Sequence, residues 1–246
     1  GSSCVKYYVE NGYEMPTIGF TPDAQFPAIF CEKGTSNFLA GTKIYNKGEI
    51  DVEYFGGGVA ANVVPPVCKL IVNGPLKVTP EEGITVTEEN GKTIVEATGF
   101  SAHGSTPELG VNAVVKLLNA VKENDFGGDF QQLVNFILEE IGNETNGKSL
   151  DILYQDEETG ETTVNLGVVK YDGEEMSFTL YIRYPKNGDA EVIDDKVINR
   201  INSYNFDVLK KTNNKLLYVP KDSELVSKLV KVYEAQTGDK REPIAI

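Results

Sequence analysis

The chain has 246 residues, 40% of them hydrophobic and 24% charged, which is enough for one large soluble domain or two smaller ones. Asp and Glu number 37 against 23 Lys and Arg, for a formal net charge of -14. Such a surface repels nucleic-acid phosphates and anionic lipid, and no basic stripe interrupts it, so neither nucleic acid nor membrane is expected as a partner. No apolar run reaches the length of a membrane span. Cys4, Cys31 and Cys68 are odd in number and widely spaced. They fit neither a disulfide framework nor a Cys-x-x-Cys zinc knuckle, and they suggest a reducing, cytoplasmic compartment.

The chain opens on Gly1-Ser2-Ser3 without a Met or a secretory leader, and residues 4–11 read as a helix stopped by Gly12. Short strands are expected over 17–21 and 28–32, on either side of a Pro-Asp-Ala turn. Strand-like runs follow at 37–45, 49–55 and 67–72. A hairpin pairs 84–88 with 93–97 through Asn90-Gly91. A helix is expected over 107–124, with Pro107 in its first turn and Thr106 as N-cap. A second covers 130–141, and polar residues 142–150 read as a loop. The sequon-like Asn143-Glu-Thr145 is attributed to chance.

Residues 164–170 and 176–184 read as adjacent antiparallel strands, with clear alternation through Met176, Phe178, Leu180 and Ile182. A helix is expected over 189–204, then strands over 206–212 and 216–219. The last helix, 223–237, is capped by Asp222 or Ser223 and stopped at Gly238. The chain closes on the apolar Pro243-Ile-Ala-Ile246, which, like the missing Met, is expected of a piece of a longer protein. Strands grouped with helices indicate an α+β layered fold, with two similar halves plausible.

Few residues here carry chemistry. His103, the single histidine, stands in Gly99-Phe-Ser-Ala-His-Gly-Ser-Thr-Pro-Glu108, between a strand and a helix start. A loop histidine is most often an ordinary surface residue, but one flanked by small residues can also meet an anionic group. A Ser-His-Asp hydrolase is disfavoured, since no Gly-x-Ser-x-Gly elbow exists. Gly56-Gly57-Gly58-Val59-Ala60-Ala61 mimics a dinucleotide fingerprint, but Pro65-Pro66 interrupts the helix that such a site requires. Asn62 beside it is a structural hydrogen-bonder or a cleft ligand. Asp23 reads as a turn residue or as a metal carboxylate at a strand end. Arg183, inside an apolar strand, needs either an ion pair or a cleft, and its planar fork suits a carboxylate.

Together, Gly19-Phe-Thr-Pro-Asp-Ala24, Phe26-Pro27, Glu32-Lys-Gly34, Asn62-Val-Val-Pro65, Gly99-Phe-Ser-Ala-His-Gly-Ser105, Pro107-Glu108, Ile182-Arg-Tyr-Pro185, Asp222-Ser-Glu-Leu225, Tyr233 and Thr237-Gly238 are collinear along the chain. In this order they resemble the PepV-type bacterial dipeptidases, of the aminoacylase/carnosinase type with paired zinc ions. The resemblance implies a lid domain over 42–219, built of antiparallel sheets with helices on one face and two ferredoxin-like halves. Catalytic-domain remnants would flank it at 1–41 and 220–246. It implies that Asp23 is a metal carboxylate, that His103 stabilises the tetrahedral oxyanion, and that Arg183 and Asn62 hold the substrate carboxylate.

The implied cofactor of the full-length protein is two zinc ions, with manganese or cobalt possible, and the substrate is a dipeptide or short peptide. The family's other metal ligands and its general base are not matched in this chain. The isolated polypeptide is therefore expected to be inactive and to bind no metal tightly. The long lid of the PepV-type arrangement, which imitates a second subunit, implies a monomer. The alternatives are a non-catalytic binding or dimerisation module with a peptidase-lid fold, and a piece of a related desuccinylase- or aminoacylase-type amidohydrolase.

Overall fold

The structure, a computed structural model, describes residues 3–22 and 25–246. In chain order its elements begin with α1 (Ser3–Glu10), β1 (Ile29–Glu32), β2 (Gly34–Lys43), β3 (Asp51–Gly57), β4 (Val67–Asn73), β5 (Ile84–Glu89) and β6 (Lys92–Thr98). Next come α2 (Ala113–Val121), α3 (Gly128–Phe136), β7 (Gln155–Asp156), β8 (Gly160–Glu161), β9 (Thr163–Tyr171) and β10 (Glu175–Tyr184). The last are α4 (Ala190–Ser203), β11 (Asp207–Asn214), β12 (Leu217–Tyr218), α5 (Glu224–Thr237) and β13 (Ile244–Ala245). The chain divides into two compact units, Gly1–Phe30 with Val219–Ala245 and Cys31–Tyr218 with Ile246.

The larger unit is one eight-stranded sheet, in the order β11-β2-β10-β9-β3-β4-β6-β5. Every neighbouring pair in it is antiparallel. The alternation read in the sequence decides its faces. Met176, Phe178, Leu180, Ile182 and Tyr184 of β10 are buried in one apolar cluster with Phe38 of β2, Leu70 and Val72 of β4, and Val95 of β6. Val114, Leu117 and Leu118 of α2, Leu133 and Phe136 of α3, and Ile193, Val197 and Ile201 of α4 join the same cluster. One sheet face is thus covered by helices and the other carries the alternate residues, which is the expected α+β layer.

The quartet β11-β2-β10-β9 has the 4-1-3-2 order of a ferredoxin-like unit, with α4 crossing between β10 and β11. The quartet β3-β4-β6-β5 does not have that order. It is built of two hairpins, β3-β4 and β5-β6, joined through β4 and β6 and followed by α2, so the expected pair of ferredoxin-like halves is one such half beside a pair of docked hairpins. Its outer hairpin turns where expected: Asn90 (φ 52) and Gly91 (φ 76) are both left-handed, as a two-residue turn with the right twist requires.

The helix expected over 107–124 is shorter. Residues 107–109 form one 3-10 turn, Thr106 makes no side-chain cap, and α2 starts at Ala113 under Asn112, whose side chain accepts from the N–H groups of Val114 and Val115. The cause is local. Val111 is taken out of helical geometry by a two-way backbone bridge with Phe100. The helix expected over 130–141 runs from Gly128 and finishes as a π-helical segment, Ile137–Ile141. The boundary expected at residue 42 falls inside β2, whose residues from Gly34 on pair with β10, so the larger unit starts at Cys31.

In the smaller unit, Ser223 caps α5 through the Val226 N–H, and Gly238 (φ 73) closes it. Phe26 stacks on Tyr233 with ring centroids 5.6 Å apart. The strand expected over 17–21 is not formed. Ile18 and Phe20 are 69% and 66% exposed, and among the described residues no neighbouring strand takes up that backbone.

Candidate functional site

The face of the larger unit's sheet opposite the helices carries a polar grid. Arg183 of β10 lies between Thr35 of β2 and Thr163 of β9, and Tyr181, two residues earlier, lies between Asn37 and Asn165. Because side chains alternate along a strand, these two rows share one face. Thr35, Thr163, Asn165 and Arg183 are all buried. Thr35 Oγ1 accepts from Asn214 Nδ2 at 3.0 Å. Asn165 Nδ2 donates to the carbonyls of Ala61 and Val63, at 2.7 and 3.1 Å.

Those two carbonyls flank Asn62, so Asn165 ties the Asn62 loop to the sheet. The loop lies close: a Cβ on Gly167 of β9 would come 2.3 Å from the Ala61 carbonyl oxygen, so only glycine fits there. The His103 loop docks beside it. The Gly104 N–H donates to Asn62 O at 2.8 Å, the Val64 N–H donates to Ala102 O at 2.9 Å, and Val63 and His103 form a β-bridge. Gly104 faces the Tyr181 ring, where a Cβ would come within 2.8 Å of Cδ1. The His103 and Tyr181 rings meet edge-on with centroids 6.5 Å apart.

The fold therefore brings Asn62, His103 and Arg183 to one region: two exposed side chains on docked loops, and one buried in the grid. The imidazole is oriented. The Ser105 N–H donates to His103 Nδ1 at 3.1 Å, and the Ser105 hydroxyl lies 2.8 Å from the same nitrogen. With Nδ1 serving as acceptor, the neutral ring carries its proton on Nε2, which is left as an outward donor.

Arg183 is 5% exposed, and its Nε and Nη2 are buried with no hydrogen-bond acceptor among the described residues. Leaving a buried charged donor unmet costs roughly 1–3 kcal/mol or more. Among the described residues no acceptor meets that cost. Thr163 Oγ1 is buried and unmet in the same way. Lys33, half-buried before β2, has its pKa pushed down by burial first and then by the positive charge of Arg183.

Asp23 lies outside the described residues. Among the described residues no three His, Cys, Asp or Glu side chains converge, so they offer no donor set for a zinc ion, which takes about three protein ligands in a catalytic site. Four contributors were passed over in the sequence: Lys33, Thr163, Asn165 and Tyr181. The alternation of β10 could have found Tyr181, which shares a face with Arg183. Nothing local marks the other three, since their roles come from strand pairing and loop docking.

The chain has close relatives among known proteins. The Bacillus subtilis (strain 168) protein named "Putative dipeptidase YtjP" is 31% identical over 259 residues, covering 99% of this chain and 55% of that protein. A Staphylococcus aureus (strain USA300) protein, also named a "Putative dipeptidase", is 31% identical over 256 residues, covering 95% of this chain and 53% of that one. The chain belongs to the family of these dipeptidases, and it spans about half the length of the curated relatives it matches. No family model matches it. A solved aminoacylhistidine dipeptidase from Vibrio alginolyticus superposes with a TM-score of 0.43 at 12% identity, over 92% of this chain and 48% of that one. Likeness at that level carries no argument about the site. Among the described residues no helix is long and apolar enough to cross a membrane.

Proposed function

We propose that the larger unit is the substrate-clamping lid of a zinc dipeptidase. Arg183 takes the terminal carboxylate of a dipeptide on Nε and Nη2, as a planar fork takes two carboxylate oxygens. Asn62 assists with its amide. His103 donates from Nε2 to the scissile carbonyl oxygen as that oxygen gains negative charge. The observation that carries this reading is the buried Arg183, with two unmet donors on the face where the His103 and Asn62 loops dock.

Asp23 is the one metal carboxylate we assign in this chain, and zinc, or manganese or cobalt in its place, is the cofactor of the full-length protein. The described side chains hold substrate and polarise it, and no hydrolytic step is assigned to them. The polypeptide alone therefore binds dipeptides as a soluble cytoplasmic monomer and does not hydrolyse them.

NMR titration tests this with glycyl-L-leucine and glycyl-L-leucinamide. The dipeptide should perturb the signals of Arg183, Tyr181 and the His103 loop, the amide should not, and Arg183→Ala should abolish the difference. Equal binding of the two probes would sink the assignment. In the full-length zinc protein, His103→Ala should lower kcat about 10²–10³-fold.

A further inference from the structure

Arg183 is not the only cation at this grid. The Lys33 side chain enters from the segment between β1 and β2, and its Nζ donates to the main-chain oxygen of Glu161 at 2.7 Å. Glu161 stands two residues before Thr163, the strand partner of Arg183, and the positive charge of Arg183 pushes the Lys33 pKa down, second only to burial. Glu161 and Glu108 act in the opposite sense, but both are exposed. Among the described residues Arg183 Nε and Nη2 meet no acceptor. Thr163, directly across from Arg183 in the β9–β10 ladder, is 7% exposed with an unmet hydroxyl.

Two neighbouring cations, one buried and one half-buried, raise the energy of the empty site, because each is desolvated and they repel. An arriving anion removes both costs, and it meets Arg183 Nε and Nη2, the Thr163 hydroxyl and the remaining ammonium protons of Lys33. Resting on the reading of Arg183 given above, the geometry points to Lys33 and Thr163 as further binding residues of the carboxylate subsite. Lys33 is a second cation beside the guanidinium, and Thr163 is a neutral donor. The cradle takes a free carboxylate and rejects its amide or ester, so it selects peptides that end where the cradle begins.

The test uses N-acetyl-L-leucine, which has no titrating amine, and its amide, against the unmodified polypeptide and the variants Arg183→Ala, Lys33→Met, Lys33→Arg and Thr163→Val. Far-UV circular dichroism checks that each variant folds. Carboxylate affinity should fall about tenfold in Lys33→Met, about threefold in Thr163→Val, and stay near the original in Lys33→Arg.

A pH series adds a readout that a packing role would not move. Lys33 binds the anion in its protonated form, and its pKa is pushed down, so affinity should fall with rising pH before the ordinary lysine range is reached. The other groups acting on Lys33 are Arg183, Glu108, Glu161 and the Cys31 thiol, whose pKa burial pushes up. Lys33→Arg should be flat across the same range.

If Lys33→Met binds normally while Arg183→Ala does not, the inference is overturned and the Arg183 reading survives. If the unmodified chain does not prefer the carboxylate to the amide, both fail. A flat pH profile in the unmodified chain, or a Lys33→Met loss that Lys33→Arg does not restore, also overturns the inference. The pH series needs no variant to fold.

Discussion

Asn165 is the fastener of the site, and its removal tests whether the loops are held from the sheet. Its Nδ2 donates to the carbonyls on both sides of Asn62, at 2.7 and 3.1 Å, and the residue is 2% exposed. Each of these bonds is worth about 1 kcal/mol net, and the two carbonyls lose a buried donor when it goes, so Asn165→Ala should cost about 2–4 kcal/mol. That corresponds to a fall in Tm of roughly 5–10 °C for a unit of this size.

Asn165→Asp is the sharper variant. It keeps the shape but turns a carboxylate toward two carbonyl oxygens. Burial there raises its pKa in the folded state above the unfolded value near ~3.9. Its extra destabilisation is therefore small in acid, where the carboxyl is protonated and can still donate, and grows as pH rises past the unfolded value. Urea unfolding at acid and neutral pH measures both variants, and NMR shifts of Gly104 and His103 report the loop, because the Gly104 N–H is bonded to Asn62. The reasoning is refuted if Asn165→Ala unfolds within about 0.5 kcal/mol of the parent with the loop signals unmoved, or if Asn165→Asp shows no pH dependence.

Tyr204 ends α4 with its hydroxyl on Glu139 and Glu140, at 2.7 and 2.9 Å, while the buried Glu140 also pairs with Arg200 at 3.2 Å. Burial first, then these carboxylates, hold its phenol above the usual tyrosine range. The sign follows: its stabilisation is complete below the unfolded tyrosine pKa near ~10 and is lost as pH rises beyond that. Tyr204→Phe should cost about 1–2 kcal/mol and flatten that alkaline loss, as urea unfolding over pH would show. The thiols should also divide by burial. Cys31 and Cys68 are buried, with pKa values pushed up chiefly by burial, and Cys4 is exposed. A disulfide reagent at mildly alkaline pH should modify one thiol in the native chain and three in denaturant.

The loop-to-sheet docking explains which parts of this protein could be read in advance. The face alternation of β10, the Asn90-Gly91 turn and the Gly238 stop are consequences of backbone sterics and periodicity within a few residues, so the sequence determined them alone. The resemblance also pointed to Asn62, His103 and Arg183, because their types recur in order along the chain. The start of α2 was not legible, since Asn112 displaces Thr106 as cap only because Phe100 bridges Val111. Nor was the second half's topology, because strand order depends on which edges remain open once the first hairpins pair.

Only the tertiary structure shows what surrounds Arg183. A charged residue in an apolar strand calls for either a partner or a ligand, and the sequence holds 37 carboxylates that could have served as partner. The fold puts Thr35 and Thr163 beside Arg183, adds the like charge of Lys33, and leaves two guanidinium nitrogens without an acceptor among the described residues. Hydrogen-bond satisfaction here joins residues far apart in the chain (Lys33 to Glu161 is 128 positions, Thr35 to Asn214 is 179), and no local rule of sequence reaches that far.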